Sequence, residues 1–178
     1  MSLKLGSTAV LVENLYQEME VWVPYFRLQE AGAKVTLVGP KKETYRSKLG
    51  YPAEAELGAV EAAAQKFDAL IIPGGYAPDL LRTNEHLVQM VRSHVQKGAI
   101  VAAICHGTWM LASADVLRGR KATGATQIRD DIRNAGATWL DQASVRDGNI
   151  ITSRKPGDLP QFCAAIVEAL AEKAAVPA

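Results

Sequence analysis

The chain has 178 residues, of which 48% are hydrophobic and 22% are charged. This composition excludes a disordered chain and predicts a single domain over residues 1–178 with a full apolar core. The net charge is +1 without a long block of like charges, so the charge pattern indicates neither a nucleic-acid nor a membrane-surface partner.

Short apolar runs alternate with segments of helical spacing along the chain. Strands are predicted at 8–12, 34–38, 69–72 and 100–104, and helices at about 19–32, 56–67, 84–98 and from 106 onward. The last third predicts a helix over 128–134, a small β-hairpin of 144–146 and 149–152, and a helix beginning at Pro160. This alternation predicts a flavodoxin-like (Rossmann-like) α/β fold, with a parallel sheet and helices on both faces.

Cys105 lies directly after the fourth predicted strand and before a helix. Small residues, Ala103 and Gly107, stand two positions before and after it, as the sharp turn of a nucleophile elbow requires. The free N–H groups of the following helix favour a thiolate there and can bind an oxyanion. The alternative is a buried structural cysteine. Cys163, beside Phe162 in an amphipathic segment, is predicted to be a core or helix-surface residue.

The cysteine pattern also bears on metals and location. No C-x-x-C spacing occurs, so neither a zinc site nor a redox pair is predicted, and two free cysteines fit a reducing cytoplasm. The longest strongly apolar run, residues 99–105, is far shorter than the about 20 residues that span a bilayer. No signal peptide is recognised at the N-terminus.

Three histidines are available as a base for a thiol nucleophile. His86 and His94 are predicted to be ordinary, partly exposed helix residues, so His106 is the one candidate with a positional argument. A Cys-His-acid triad with its histidine late in the chain is excluded, because no histidine follows His106. The alternative for His106 is a helix-terminal residue without a catalytic role.

Gly74 and Gly75 end the strand next to the one that carries Cys105. They form either a simple tight turn or a backbone N–H aimed at a reacting oxygen. The chain has no G-x-G-x-x-G and no G-x-x-x-x-G-K-[ST] sequence. No nucleotide, flavin or other cofactor, and no metal, is therefore predicted.

The sequence Ala-Ile-Cys-His-Gly at 103–107, preceded by Ile-Ile-Pro-Gly-Gly at 71–75, resembles the ThiJ/PfpI superfamily. It is most similar to the branch of PfpI-like intracellular cysteine peptidases and general stress proteins. The resemblance covers about residues 8–170. Further matching positions are Glu20 with Pro24, 77–79, 117–121, 130–131, 134–136, 147–148, 153–154 and 158–159.

The resemblance implies a role for each site residue. Cys105 is the expected nucleophile, with Glu20 against its sulfur, protonated and donating a hydrogen bond; helical spacing alone places Glu20 in solvent. His106 is expected to pair with an acid at Asp79 of a neighbouring subunit. The backbone N–H groups of Gly75 and His106 are the expected oxyanion hole. The family forms homodimers that can assemble further into hexamers.

Three departures from the family pattern are visible. Thr108 stands where many relatives have proline, and Asp79 is one methylene shorter than the glutamate that is common in peptidase-type members. Ala125 stands where some peptidase-like members carry an aromatic residue. These differences weaken a peptidase assignment more than they weaken the shared thiol chemistry.

The expected function is that of a cofactor-independent stress-response cysteine enzyme acting on small reactive carbonyls. In this glyoxalase or deglycase chemistry, Cys105 forms a hemithioacetal that becomes a thioester and is then hydrolysed. The first alternative is a cysteine peptidase that uses His106 as leaving-group acid. The second is a redox sensor or stress holdase without turnover, because an exposed thiolate oxidises readily.

Overall fold

The structure is a computed structural model that describes residues 5–175. Its strands are β1 Ser7–Leu11, β2 Lys34–Gly39, β3 Thr44–Arg46, β4 Pro52–Glu54, β5 Leu57–Gly58, β6 Ala69–Ile72, β7 Ile100–Ile104, β8 Lys121–Ala122, β9 Thr138–Trp139, β10 Ser144–Asp147 and β11 Ile150–Ser153. Its helices are α1 Glu18–Glu30, α2 Ala59–Ala63, α3 Ala77–Leu81, α4 Glu85–Gln96, α5 Thr108–Ser113, α6 Arg129–Asn134 and α7 Leu159–Ala175.

Seven strands form the central sheet in the order β10-β11-β7-β6-β1-β2-β5. All neighbours are parallel except the hairpin of β10 and β11. Helices α1 and α7 contact each other on one face, while α2, α4 and α5 form the layer on the other. The predicted flavodoxin-like α/β fold with helices on both faces is thus confirmed.

Strands β1, β6 and β7 lie side by side at the centre of the sheet and are almost entirely buried. Their continuous apolar sequences suit strands that are covered on both faces. In the parallel register Ile72 lies opposite Ala103, so the residues after β6 and β7 emerge next to each other. The carboxyl edge of these strands is where a parallel α/β sheet places its ligands.

The main correction concerns residues 56–67, which are predicted as one helix. Leu57–Gly58 instead pairs with β2 at the sheet edge, and the helix covers only Ala59–Ala63. Glu56 explains the difference, because its backbone N–H donates to the Leu37 carbonyl and its side chain accepts from the Leu37 N–H. These tertiary hydrogen bonds override the helical propensity of an alanine-rich segment.

The other predicted elements are found within a few residues of their expected bounds. Asn84 caps α4 by accepting from the Leu87 N–H, as its sequence position predicts. Cys163 lies in the core, on the buried side of α7. Among residues 5–175, no helix has the length and apolar character needed to cross a membrane.

His94 is buried rather than partly exposed, which corrects its interpretation from sequence. Its Nδ1 lies 2.8 Å from the Met90 carbonyl oxygen, and its Nε2 lies 3.3 Å from the Phe67 amide nitrogen. The carbonyl requires an N–H on Nδ1, and the amide requires a free lone pair on Nε2, so the ring is neutral. Burial, assisted by the charge of Lys97, lowers the pKa of His94 below its ordinary value.

We expect His94 to make the fold sensitive to acid. A lowered pKa in the folded state means that stability is complete above about pH 6.5 and is lost as the pH falls. The melting temperature of the wild type should therefore drop more between pH 7.5 and pH 5.5 than that of His94→Gln. His86→Gln, an exposed position of the same helix, should follow the wild type, and an unchanged acid response of His94→Gln would contradict this assignment.

Candidate active site

Cys105 is held in a strained turn between β7 and α5. Its φ of 60° lies in the left-handed region, which non-glycine residues rarely adopt. Residues Cys105–Gly107 form a single 3-10 turn that leads into α5. A Cβ on Gly107 would collide with the Ile72 carbonyl oxygen, so this position requires glycine. The turn leaves the Cys105 side chain half-buried, at the carboxyl edge of the sheet.

Glu20 reaches this cysteine from the first turn of α1 and is fully buried. Its Oε2 accepts a 2.7 Å hydrogen bond from the Gly74 N–H. Gly74 separates the two side chains, because a Cβ built on it would lie 2.6 Å from Glu20 Oε2 and 2.7 Å from Cys105 Cβ. Within residues 5–175 Glu20 Oε1 is buried without a hydrogen-bond partner, and the carboxyl interacts with the Cys105 thiol. The solvated position that helical spacing indicates for Glu20 is therefore wrong.

The carboxyl and the thiol form a coupled pair, with Glu20 buried and Cys105 half-buried. Burial raises the pKa of Glu20 to about 7. Burial and the Glu20 charge raise the pKa of Cys105 to about 12, against the opposing effect of the Gly75 and His106 N–H groups. Desolvation and the like charge of Glu20 therefore oppose the thiolate that the two N–H groups favour.

Two backbone N–H groups surround the sulfur. Those of Gly75 and His106 both hydrogen bond to Cys105 and come from the turns after β6 and β7. Gly75 has φ 81°, and a Cβ there would lie 2.5 Å from the Leu15 carbonyl oxygen, so glycine is needed for this approach. The geometry thus brings together the two N–H groups that the sequence proposes for an oxyanion.

The His106 ring lies beside the sulfur, with Nδ1 3.3 Å from Cys105 Sγ. Burial and the charge of Lys48 lower the pKa of His106, which keeps its imidazole neutral. The ring also meets the edge of Trp109 with centroids 5.1 Å apart. A neutral imidazole at this distance can accept a proton from, or return one to, a group bound to the sulfur.

Asp79 does not join the other site residues within the chain. It lies exposed on α3, and neither a hydrogen bond nor an ion pair links its carboxylate to His106 in the described part of the chain. Its neighbours Tyr76 and Leu80 are large apolar side chains that are 62% and 43% exposed. The expected pairing of Asp79 with His106 is thus not present within one copy of the chain over residues 5–175.

A cavity of about 460 Å³ opens over Cys105 and His106. Its other walls are polar and are formed by two segments, Ala125–Gln127 and Arg154–Lys155, together with Asp141. Arg154 is held in place by Asp158 at 2.9 Å and by Asp141 at 2.6 Å. The space suits a small polar substrate above the sulfur.

Sequence reasoning misses two residues next to the site. Lys48 lowers the pKa values of both Glu20 and His106, although it lies in a segment whose sequence has no clear periodicity. Trp109 packs on His106 and donates its indole N–H to Asp131 Oδ2 at 3.2 Å. Its position four residues after Cys105, on the first turn of the following helix, is the signal that points to it.

Comparisons with known proteins agree with this geometry. The sequence profile of the DJ-1/PfpI family matches residues 7–169. The chain belongs to the DJ-1/PfpI family. It is 44% identical over 149 residues to Deglycase PfpI of Pyrococcus furiosus, which covers 84% of this chain and 90% of that protein. It is 39% identical over 158 residues to General stress protein 18 of Bacillus subtilis, and this match covers 86% of this chain and 91% of that protein.

A solved DJ-1/PfpI relative gives the same fold. It is a two-domain protein of Anabaena variabilis with DJ-1/ThiJ/PfpI-like and ferritin-like domains. The TM-score is 0.91 at 42% identity, over 97% of this chain and 50% of that longer chain. The resemblance read from the Cys-His-Gly elbow and its accompanying motifs is confirmed at the level of family and fold.

Proposed function

We propose that the chain is a cofactor-independent cysteine enzyme that acts on small reactive carbonyl compounds by glyoxalase- or deglycase-type chemistry. The observation that carries the proposal is the contact of Cys105 with Glu20 and with two backbone N–H groups beneath one cavity. The names of its relatives, a deglycase and a general stress protein, support it. We place the activity in the cytoplasm, where a catalytic thiol stays reduced.

The first step follows from the protonation of the pair. The raised pKa of Cys105 favours the protonated thiol, and the pKa of Glu20, about 7, lets this carboxylate act as a proton acceptor near neutral pH. Glu20 takes the thiol proton as the sulfur attacks the aldehyde carbon of a 2-oxoaldehyde such as methylglyoxal. The C–S bond forms, the carbonyl π electrons move to oxygen, and the Gly75 and His106 N–H groups stabilise that oxyanion.

The resulting hemithioacetal is converted to a thioester without an external oxidant. A base removes the proton from the carbon that carries sulfur, and the neighbouring carbonyl oxygen takes up a proton, which gives an enediol. A proton is then delivered to that neighbouring carbon while the hydroxyl on the sulfur-bearing carbon loses its proton, so the thioester C=O forms with no net gain or loss of protons. His106, which is neutral and 3.3 Å from the sulfur, and Glu20 are the two groups placed for this transfer. Water then attacks the thioester, releasing lactate from methylglyoxal and restoring the Cys105 thiol.

Deglycation uses the same adduct. An early glycation product of a protein or nucleotide amine releases its carbonyl part to the sulfur, and the amine leaves with a proton. Hydrolysis of the thioester then gives the same hydroxy acid. The polar cavity over Cys105 provides space for the small carbonyl part, while the amine-bearing molecule remains outside.

The direct test is product formation from methylglyoxal. Purified wild-type protein without added thiol or metal should produce lactate in proportion to enzyme concentration and over many turnovers. Adding the protein to amine adducts that have been separated from free aldehyde then distinguishes deglycation from removal of the aldehyde. If neither lactate nor released amine forms above the protein-free rate, the proposed activity is wrong.

A second candidate, peptide hydrolysis, is favoured by the short distance between Cys105 and His106. Here His106 must act as leaving-group acid, so its lowered pKa would need a carboxylate to raise it. We propose that Asp79 of a second copy supplies it. The exposed apolar residues around Asp79, Tyr76 and Leu80 together with Leu49, suit contact between copies in a homodimer or hexamer.

Complementation between two inactive chains tests this arrangement. Asp79→Asn should lower peptide hydrolysis about 100-fold, as loss of support for a general acid does, while Glu61→Gln, at an exposed position of α2, should not. Mixing Asp79→Asn with Cys105→Ser chains should restore measurable hydrolysis, because mixed oligomers combine an intact thiol with an intact acid from the partner. Full hydrolysis by Asp79→Asn alone, or by a monomer, would exclude the shared site.

A pure redox sensor is the less favoured alternative. Sensor cysteines are exposed and have low pKa values, which makes the reactive thiolate abundant. Cys105 is instead half-buried, and its pKa is raised to about 12. A thiol whose pKa is raised by burial suits a nucleophile that loses its proton as it attacks the substrate.

A further inference from the structure

A groove between α4 and α5 lies apart from the cavity over Cys105. It has a volume of about 510 Å³, and its charged lining consists of Arg82, Arg92 and Glu85. His86, Gln89 and Ser113 complete its polar lining. None of these residues takes part in the chemistry proposed above.

Each of the two arginines is fixed by one hydrogen bond that its Nε donates. Arg82 Nε donates to Ser113 Oγ at 3.0 Å, and Arg92 Nε donates to the Ala114 carbonyl oxygen at 2.8 Å. These bonds orient the guanidinium planes and leave the terminal Nη groups as free donors at the groove. Two oriented donor forks are the arrangement that recognises phosphate and carboxylate oxygens.

Neither arginine has a carboxylate partner among residues 5–175. Seven of the chain's other eight arginines form an ion pair in the same part of the chain. Arg82 and Arg92 are half-buried, yet Glu85 on the same groove pairs with neither. Half-buried positive charges without a partner favour an anion that is not part of the chain.

We propose that the α4–α5 groove is a binding site for a small oxyanion, carried by a phosphate- or carboxylate-bearing molecule. The terminal nitrogens of Arg82 and Arg92 hold its oxygens, and His86 at the rim offers a further donor. This inference does not rest on the proposed function, because the groove and the cavity over Cys105 share no lining residue among those that the structure describes. Two adjacent charges on the ligand match two arginines better than one charge does.

Trp109 provides a fluorescence signal for binding at this groove. The Arg82 guanidinium lies over the Trp109 ring, 5.3 Å from its centroid, and that ring meets His106. Drawing the Arg82 charge toward a bound anion changes the electric field at the indole. Binding should therefore alter the fluorescence of Trp109 with the same saturation curve as the heat of binding, and Trp109→Phe should lose the optical signal while keeping the heat.

Calorimetric titration with inorganic pyrophosphate and, separately, citrate tests the site at constant ionic strength. We expect saturable binding to the wild type with one site per chain; tighter pyrophosphate indicates a phosphate ligand, and tighter citrate a carboxylate ligand. Arg92→Gln should weaken binding by about tenfold or more, and Arg82→Lys, which keeps the charge and loses the fork, should also weaken it. Arg118→Gln, an exposed arginine paired with Asp115, should bind as the wild type does.

Equal affinity of the wild type and folded Arg92→Gln would overturn the assignment, since a general surface attraction would then explain the heat. Absence of saturable binding of both anions into the millimolar range would overturn it as well. Circular dichroism of each variant shows that the fold is retained before the titration is interpreted.

Discussion

Cys105→Ser should reduce lactate formation from methylglyoxal by at least about 1,000-fold, the scale seen when a nucleophile is removed from a catalytic unit. A serine hydroxyl is less acidic than a thiol, and Glu20 cannot take its proton at neutral pH as easily. The hemithioacetal and the thioester also both require sulfur. The measurement is the initial rate of lactate formation, together with the mass of protein trapped during turnover, which should carry a carbonyl adduct in the wild type alone.

The matched control for this substitution is Cys163→Ala. Cys163 is the other cysteine of the chain, and it is buried in α7, away from the cavity over Cys105. Its removal costs some core packing and should leave the initial rate unchanged. Equal rates for the wild type and Cys105→Ser would remove the thiol from the mechanism, and with it the proposed function.

The elbow could be predicted from sequence because its determinants are local. A buried strand, a small residue two positions before Cys105 and Gly107 two positions after it are all readable in one short segment. The structure adds the positive φ of Cys105 and the collision that a side chain at Gly107 would cause. The alternation of strands and helices along the chain predicts parallel neighbouring strands, so the fold class was predictable as well.

Glu20 could not be placed from its own helix. Its spacing indicates the flank of α1, and its burial depends on Gly74, a residue more than fifty positions away along the chain. The same applies to His94, whose partner amide at Phe67 lies on a different element. Polar residues that are buried by long-range hydrogen bonds look like surface residues in a periodicity analysis, so only a family resemblance could indicate Glu20.

The pKa values of Cys105 and Glu20 are the property of the site that is hardest to predict from the sequence. N–H groups beside a cysteine favour its thiolate, and those of His106, before α5, and of Gly75, after β6, lower the pKa of Cys105. Burial and the nearby carboxylate act in the opposite direction and are stronger. The balance depends on the exposure of the sulfur and on its contact with Glu20, and both are set by the packing of α1 against the turns after β6 and β7.

Glu20→Gln should lower kcat/KM by about 100-fold or more, within the range contributed by a positioned proton-transfer group. The amide keeps the shape of the side chain and can still accept from the Gly74 N–H, but it cannot take the thiol proton. Glu30→Gln, at the exposed far end of the same helix, is the matched control and should retain the wild-type rate.

The pH profile separates proton acceptance from a structural role. With Glu20 as acceptor, wild-type kcat/KM rises as the pH increases through about 7, and Glu20→Gln loses that limb. If Glu20 instead donates a hydrogen bond to a thiolate that is already present, activity should fall as Glu20 ionises.

The pH dependence of stability is a second measurement. The raised pKa of Glu20 stabilises the fold at low pH, and this stabilisation is lost as the pH rises through 7. Glu20→Gln should therefore be more stable than the wild type at pH 8, by about 3 kcal/mol, so a slow variant with a higher melting temperature there identifies lost proton transfer rather than lost folding.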